Sequence, residues 1–259
     1  MSARGRIRLA AAAAGCLLGG LTLSLQAACT AASGGATAAL VELYTSEGCS
    51  SCPPADKWLS TLDDPAIVAL ALHVNYWDDL GWRDRFSNAQ FSQRQAQSVR
   101  RNNGRVVYTP QVLVDGRDFR EWRSADALRR AVREAGARPA QARLELSADE
   151  VQPATWSVTV RGTVTRPRGR AVAYLAVYEN GLASRVGAGE NRGATLHHDR
   201  VVRAWLGPLP VDAANPVRMN HTLKPADAID FSRAGIAALI EDADSGEVLQ
   251  ALVMPLCRG

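Results

Sequence analysis

Short apolar runs in the first half of the chain alternate with segments of helical periodicity. Two of these runs, bounded by turn-forming residues, predict buried strands at 39–44 and 67–74. A further strand is predicted at 111–114, and a second short one at 118–122. Helices are predicted over about 50–62 and 83–101, and again after Ser124, whose hydroxyl suits a helix N-cap. Strands that alternate with helices predict an α/β domain over 38–138, in which parallel strands pair and helices pack on the sheet.

The second half of the chain has a different pattern, because apolar and polar residues alternate there with a period of two. This alternation is typical of half-buried strands, and it is clearest at Leu144, Leu146, Trp156, Val158 and Val160. The turn-formers Asp244, Ser245 and Gly246 lie between two apolar runs and predict a hairpin. We therefore expect a mostly β, sandwich-like domain over 141–257.

The first 28 residues have the composition of a secretory signal peptide. Arg4, Arg6 and Arg8 precede an uncharged apolar stretch over 9–25, and small residues follow at Ala27 and Ala28. Residues 1–28 are therefore predicted to be removed, which places the mature protein in the periplasm or outside the cell without stable membrane insertion. Acylation of Cys29 is an alternative, although Gln26 fits a lipid-attachment site badly.

Composition narrows the classes of function further. Of the 259 residues, 47% are hydrophobic and the formal net charge is only +4, which favours a globular protein over a disordered one. The basic residues are scattered and form no stripe with interleaved aromatic residues. Nucleic-acid binding is therefore not expected.

Four cysteines remain after the predicted signal peptide, and four cysteines allow three disulfide connectivities. Cys49 and Cys52 are close enough in sequence to pair locally, which leaves Cys29 to pair with Cys257. An exported protein meets an oxidising compartment, where such a bridge between the two ends of the mature chain is permissible. We expect that bridge to be structural.

The Cys49-Ser50-Ser51-Cys52 segment follows a predicted strand and a loop and opens a predicted helix. Thiolate is the nucleophile in disulfide exchange, and the positive end of a helix favours the thiolate. Cys49 is therefore predicted to be the attacking thiol, and Cys52, one turn further on, the resolving thiol. Pro53 and Pro54 are tolerated in the first turn, where backbone N–H groups have no partner within the helix.

Other interpretations of these residues stay open. A structural zinc site needs four ligands, and the sequence has no second Cys-x-x-Cys pair, so a metal site is not expected. An inert structural disulfide is the stronger alternative. His197 and His198 lie on a predicted strand, where neighbouring side chains point to opposite faces, so they do not suit a shared metal ion. His73 is predicted to be a hydrogen-bonded core residue.

The order of strand, Cys-x-x-Cys, helix and a later Thr109-Pro110 before a strand resembles the thioredoxin superfamily. More narrowly, residues 43–56 (Leu-Tyr-Thr-Ser-Glu-Gly-Cys-Ser-Ser-Cys-Pro-Pro-Ala-Asp) resemble a family of secreted bacterial proteins of unknown function. In that family a thioredoxin-like domain precedes a C-terminal β domain, and the resemblance implies this fold for nearly the whole mature chain. It also implies a cis Thr109-Pro110 bond whose loop receives the substrate backbone opposite Cys49.

Two features depart from ordinary thioredoxins. Gly48 stands in place of a bulky residue before the first cysteine. Glu42 is the nearest match to the buried acid that often assists the resolving cysteine, but it lies one residue too far upstream, and one step along a strand reverses the direction of a side chain.

These observations predict a thiol–disulfide oxidoreductase that needs no dissociable cofactor and acts on the thiols or disulfides of other proteins. The alternative is a binding or assembly factor on a thioredoxin scaffold, in which the same disulfide is structural. A weaker alternative is copper handling by Cys49, Cys52 and a histidine, because soft thiolates suit Cu(I).

Overall fold

The computed structural model describes residues 29–166 and 169–257, and the predicted signal peptide lies outside these ranges. Strands make up 44% of the structure and helices 18%. The described residues form three α-helices: α1 (Pro53–Ser60), α2 (Ala89–Arg101) and α3 (Ala125–Gly136). Their strands are β1 (Cys29–Ala32), β2 (Ala39–Thr45), β3 (Ile67–His73), β4 (Gln111–Val114), β5 (Arg117–Asp118), β6 (Ala142–Gln152), β7 (Thr155–Val164), β8 (Ala171–Glu179), β9 (Leu182–Arg185), β10 (Thr195–His198), β11 (Val201–Val211), β12 (Val217–Leu223), β13 (Ala234–Asp242) and β14 (Val248–Pro255).

Eight of these strands form one sheet in the order β14-β13-β8-β11-β3-β2-β4-β5. The pairs β2–β3 and β3–β11 are parallel, and the other pairs of this sheet are antiparallel. A four-stranded sheet has the order β1-β6-β7-β12, and β9 and β10 form a two-stranded ribbon. The large sheet therefore contains strands from both halves of the chain.

The predicted fold class, an α/β thioredoxin-like domain followed by a separate sandwich-like domain, is wrong. The protein is mostly β, with large multi-stranded sheets and few helices. The two halves join where β11 pairs with β3, at Val201 and Ala71. Hydrophobic periodicity shows which segments are strands but not which strands are neighbours. The strands β3 and β8 are apolar and buried along almost their whole length, and such a strand accepts neighbours from either half.

Three apolar clusters hold the layers together. The four-stranded sheet packs on the C-terminal strands of the large sheet through residues such as Leu144, Val160, Leu175 and Ile236. The second cluster contains Tyr44, Leu72 and Tyr174 of the large sheet together with Phe91 of α2. The third joins α1 and α3 to β2, β3 and β4 through Leu43, Leu59, Val112 and Leu128. At ~25 cal/mol per Å² of apolar surface, burial of this kind is the main stabilising contribution.

Local sequence signals account for the helix boundaries. Ser124 caps α3 by accepting a hydrogen bond from the Ala127 backbone N–H, as predicted, and Asn88 caps α2 in the same way through Gln90. The helix predicted from residue 83 begins only at Ala89, because residues 83–88 form a loop that carries Asp84 into the interior. Among the described residues, no helix is long and apolar enough to cross a membrane.

Candidate functional site

Cys49 and Cys52 form a disulfide between the end of β2 and the start of α1. The loop that carries them is fixed by local hydrogen bonds, in which Ser46 accepts from the backbone N–H groups of Gly48 and Cys49. The helix begins at Pro53, three residues later than predicted, so that Cys52 is its N-cap. The Cys52 carbonyl accepts from the N–H groups of Ala55 and Asp56. The disulfide therefore lies at the N-terminal end of α1.

A second disulfide joins Cys29 to Cys257, 228 residues apart in sequence. Cys29 begins β1 and pairs with β6, and Cys257 follows β14. This bridge ties the edge of the four-stranded sheet to the end of the large sheet. Its structural role stays a prediction.

The bond between Thr109 and Pro110 is cis, and Pro110 lies directly before β4. Trp77 connects this loop with the cysteine loop. Its indole Nε1 donates to Thr109 Oγ1 at 2.8 Å, and its Cβ lies 3.3 Å from the place where a Cβ on Gly48 would stand. The predicted residues are thus brought to one region, with Trp77 between them. The absence of a side chain at Gly48 leaves the room that Trp77 occupies.

The turn between β9 and β10, residues 186–194, covers the disulfide. The Asn191 side-chain amide donates to the carbonyl oxygens of Glu47 at 2.9 Å and Cys49 at 3.0 Å. Glu190 accepts from the Ser50 backbone N–H at 2.9 Å. Both cysteines are 0% exposed, whereas Ser50 and its neighbour Ser51 face solvent. We call residues 186–194 the cover turn.

Five buried ionisable residues lie next to the cysteine loop, and we call them the ionisable cluster. They are Glu47, Asp56, His73, Asp84 and His198, and each is at most 6% exposed. They come from five segments: the loop after β2, α1, β3, the loop before α2, and β10. Asp56 follows Cys52 by one helical turn, and Glu47 precedes Cys49 by two residues. The cluster and the disulfide are therefore parts of one site.

His73 and Asp84 form the tight pair of this cluster. Their Nδ1 and Oδ2 atoms are 2.6 Å apart, and Asp84 also accepts from the backbone N–H groups of Glu47 and Phe86. Burial disfavours the charged form of both residues. Their mutual attraction outweighs that effect, so the pKa of Asp84 is lowered and the pKa of His73 is raised. His73 is thus a core residue with a hydrogen bond at Nδ1, as predicted, but its Nε2 has no hydrogen-bond partner among the described residues.

His198 lies between two carboxylates. Its Nε2 is 3.5 Å from Glu47 Oε1, its Nδ1 is 3.8 Å from Asp56 Oδ2, and its ring lies edge-to-face with His73 at 5.0 Å between centroids. Burial raises the pKa of Asp56, and the nearby His198 and His73 only partly offset that effect. Burial also acts to raise the pKa of Glu47, but interactions with His198 and with the indole N–H of Trp82 outweigh burial, so the pKa of Glu47 is lowered overall.

Several polar atoms of the ionisable cluster are left without hydrogen bonds by the described part of the chain. They are Glu47 Oε1, Asp56 Oδ1, His73 Nε2 and both ring nitrogens of His198. Buried polar atoms of this kind are rare, and each calls for an explanation. Within residues 29–166 and 169–257, no group of three or more His, Cys, Asp or Glu side chains has an arrangement suited to a metal ion.

Sequence reasoning missed most of this cluster. Glu42, the acid considered there, belongs to another network, in which Arg94 Nε donates to its Oε1 at 2.6 Å. Asp56 had a detectable signal, because it lies four residues after Cys52 and so on the same helical face. His198 and Asp84 had none, since only the tertiary structure brings them to the cysteines. His198 is buried and His197 exposed, which agrees with the predicted alternation along that strand.

Fold and site together define a mostly β protein with a covered Cys-x-x-Cys disulfide beside buried histidines and carboxylates. The family described as "Protein of unknown function (DUF1223)" matches residues 40–241. The chain belongs to this family, so the resemblance to a family of unknown function is confirmed, whereas a thioredoxin-like fold is not.

Two solved structures share the fold. A protein from Agrobacterium tumefaciens aligns with a TM-score of 0.65 and 22% identity over 88% of this chain and 98% of its own. HBP35 of Porphyromonas gingivalis aligns with a TM-score of 0.63 and 17% identity over 85% of this chain and 76% of its own. No curated protein is similar to the chain. Identities this low show a common fold alone.

Proposed function

We propose that this protein is a thiol–disulfide oxidoreductase that works outside the cytoplasm, with Cys49–Cys52 as its redox-active disulfide. Its partners are the thiols or disulfides of other proteins, and the dithiol itself carries two electrons. Cys49 is the thiol that exchanges with the partner, Cys52 is the resolving thiol, and Thr109 and Pro110 contact the partner chain.

The observation that carries this proposal is the ionisable cluster beside the disulfide. A disulfide with a purely structural role needs no titratable groups around it. Burying carboxylates and imidazoles costs free energy, especially when their polar atoms lack partners. Reduction of a disulfide to two thiols takes up two protons along with two electrons. Groups that can hold and release protons next to the sulfurs therefore support redox work, since perturbed titratable groups concentrate at functional sites.

A second candidate function is favoured by the burial of both cysteines. A fully covered disulfide suits a binding or assembly factor in which the Cys49–Cys52 bond only fixes the loop. In the oxidoreductase, the cover turn must open before a partner thiol reaches Cys49. Most of the cover turn is exposed and three hydrogen bonds hold it to the cysteine loop, while Val186 is buried and Trp82 lies against Gly187. We expect a local opening in which these contacts break.

A redox titration of the folded mature chain separates the two functions. The protein is equilibrated with glutathione buffers of increasing reducing strength, and free thiols at Cys49 and Cys52 are quantified by alkylation and peptide mass spectrometry. The oxidoreductase is expected to be reduced while folded, at a potential above about −250 mV. The Cys29→Ser/Cys257→Ser variant should keep this transition, and Cys49→Ser should abolish it.

Circular dichroism of the same samples reports whether the fold persists. A Cys49–Cys52 bond that resists glutathione until the chain unfolds would contradict the redox proposal and support the binding or assembly role.

A further inference from the structure

His198 has an unusual position for a buried histidine. Both of its ring nitrogens lack a hydrogen-bond partner among the described residues, although a carboxylate oxygen lies within 4 Å of each. The nitrogen–oxygen separations, 3.5 Å to Glu47 and 3.8 Å to Asp56, are longer than those of formed hydrogen bonds. The ring therefore lies between two carboxylates and is locked to neither of them.

Asp56 connects this ring with the disulfide. It lies one turn after Cys52 on α1, where side chains four residues apart share a face. Asp56 is 6% exposed, and its Oδ1 has no hydrogen-bond partner in the part of the chain that the structure describes. One carboxyl group thus has an oxygen towards His198 and a second oxygen that is available to another group.

We infer that Asp56 exchanges a proton with the Cys52 sulfur, and that His198 restores the protonation state of Asp56. The inference rests on the proposed redox function and identifies the residues that handle its protons. Asp56 and His198 are proton-transfer residues, and the electrons move only between sulfur atoms.

The step balances as follows when a partner dithiol reduces the protein. A partner thiolate attacks Cys49 Sγ, the Cys49–Cys52 bond breaks, and Cys52 leaves as a thiolate that takes the proton of Asp56. His198 gives a proton to Asp56 and regains one from solvent. The second partner thiol gives its proton to solvent and attacks the mixed disulfide at the partner sulfur, so that the partner leaves oxidised and Cys49 is released as a thiolate. The reverse sequence oxidises a partner.

The other histidine of the cluster is not suited to this task. The Nδ1 of His73 is 2.6 Å from Asp84, and that pair holds its charge in place. His197 is next to His198 in sequence, but it is exposed and on the opposite face of β10. His198 is the imidazole that faces Asp56, and imidazole is the side chain that most readily takes up and releases a proton near neutral pH.

The charges around Asp56 determine when it can hold a proton. Its charged neighbours are His198 from β10, His73 from β3 and Asp84 from the loop before α2, and the hydroxyl of Thr45 at the end of β2 also faces it. Glu47, from the loop after β2, lies on the other side of His198. Burial and the negative charge of Asp84 favour the neutral carboxyl, whereas the two histidines favour the carboxylate. Burial thus raises the pKa of Asp56, so that its neutral, proton-donating form persists to a higher pH than in an exposed aspartate and is lost as the pH rises further.

The test measures the rate at which dithiothreitol reduces Cys49–Cys52 between pH 5.5 and 9. At each pH the rate of the variant is divided by the rate of wild type. The ionisation of dithiothreitol affects both rates equally and therefore cancels in this ratio. Asp56→Asn is expected to slow reduction on the order of 100-fold at the acidic end, and His198→Gln about tenfold. Both ratios should rise towards one as the pH rises through the folded pKa of Asp56 and the wild-type carboxyl loses its proton. The matched controls, Asp63→Asn and His197→Gln, are expected to follow wild type at every pH.

A variant that only loosens the structure gives a ratio that does not change with pH, and such a result overturns the inference. If wild-type protein is reduced readily and Asp56→Asn and His198→Gln match it at every pH, the inference fails while the redox function stands. If the wild-type disulfide resists reduction in the folded chain, both fail.

A measurement on wild type covers the case in which a variant does not fold. The infrared spectrum of the oxidised protein at the acidic end of the pH range should contain a protonated carboxyl band that Asp56→Asn removes, or, where that variant does not fold, a protonated carboxyl band that disappears as the pH rises. A wild-type spectrum without a protonated carboxyl band at the pH where reduction is fast would rule out proton transfer by Asp56.

Discussion

At the scale of single residues, Asp84 connects the ionisable cluster with the cysteine loop. It accepts hydrogen bonds from His73 and from the backbone N–H groups of Glu47 and Phe86. The pKa of Asp84 is lowered, mainly because His73 outweighs the effect of burial, so its contribution to stability is present above the ordinary Asp pKa and is lost as pH falls through its folded pKa. The pKa of His73 is raised, so its contribution is present below about pH 6.5 and is lost as pH rises through its folded pKa.

Asp84→Asn is therefore expected to lower the free energy of unfolding by about 3 kcal/mol at pH 6, because it leaves buried His73 without its charged partner. The loss should become smaller as the pH rises through the folded pKa of His73, because wild type then loses the same ion pair. Urea unfolding at pH 6 and at pH 9 measures both effects, with Asp79→Asn, an exposed residue of the neighbouring segment, as the control. Equal losses at the two pH values would contradict the ion pair.

At the scale of elements, the loop that carries the disulfide is covered by a surface turn, the cover turn, and is not buried inside the core. The turn joins two short strands that pair with each other, and Asn191 ties it to the backbone of Glu47 and Cys49. The Ser50 backbone N–H also lowers the pKa of exposed Glu190, which shows that this contact favours the charged carboxylate. Local opening of this turn is thus the expected route for a thiol to Cys49.

Asn191→Ala removes the two hydrogen bonds from the cover turn to Glu47 and Cys49. Each such bond contributes ~1 kcal/mol, so opening should become easier by ~2 kcal/mol and dithiothreitol should reduce Cys49–Cys52 about 30-fold faster. To measure this rate, the reaction is stopped at intervals and the free thiols formed are alkylated and counted. Arg192→Ala changes an exposed neighbour in the same turn and should leave the rate unaltered. If Asn191→Ala reacts no faster than Arg192→Ala, access is not controlled by these contacts.

At the scale of the whole molecule, a buried ion network joins segments from both halves of the chain. Arg94 of α2 donates to Glu42 of β2 at 2.6 Å and to Glu241 of β13 at 2.8 Å. Arg101, further along α2, also donates to Glu241 at 3.0 Å. Glu42 and Glu241 lie four strands apart in the same sheet, and α2 packs across that distance. The network therefore couples the strands beside the cysteine site to the C-terminal strands.

Arg94→Met keeps the length of the side chain but leaves two buried carboxylates without their shared cation. We expect a loss of about 4 kcal/mol in the free energy of unfolding. The triple variant Arg94→Met, Glu42→Gln, Glu241→Gln should recover part of that loss, because it also removes the uncompensated charges. Thermal or urea unfolding measures these differences, with exposed Arg100→Met as the control. A single variant as stable as that control would contradict the role of the network.

Much of the secondary structure was predictable, because local chemistry determines it. The strand at Gln111–Val114 and the Ser124 cap were predicted correctly. The start of α2 was wrong, since residues 83–88 have a composition compatible with a helix while the hydrogen bonds of Asp84 hold them in a loop.

What the sequence determined by itself is the set of strands and helices, the Cys-x-x-Cys segment at the start of a helix and the Thr109-Pro110 step before β4. These features depend on residues close in sequence, whose backbone preferences and hydrogen bonds act over a few positions. The tertiary structure alone decided that β11 lies beside β3, and that one sheet spans both halves of the chain. It also decided that His198 and Asp84 meet Asp56 next to the cysteines. The packing of the whole core determines which strands become neighbours and which ionisable side chains come into contact. The hydrophobic periodicity of the sequence carries no information about which distant group a buried ionisable side chain will contact.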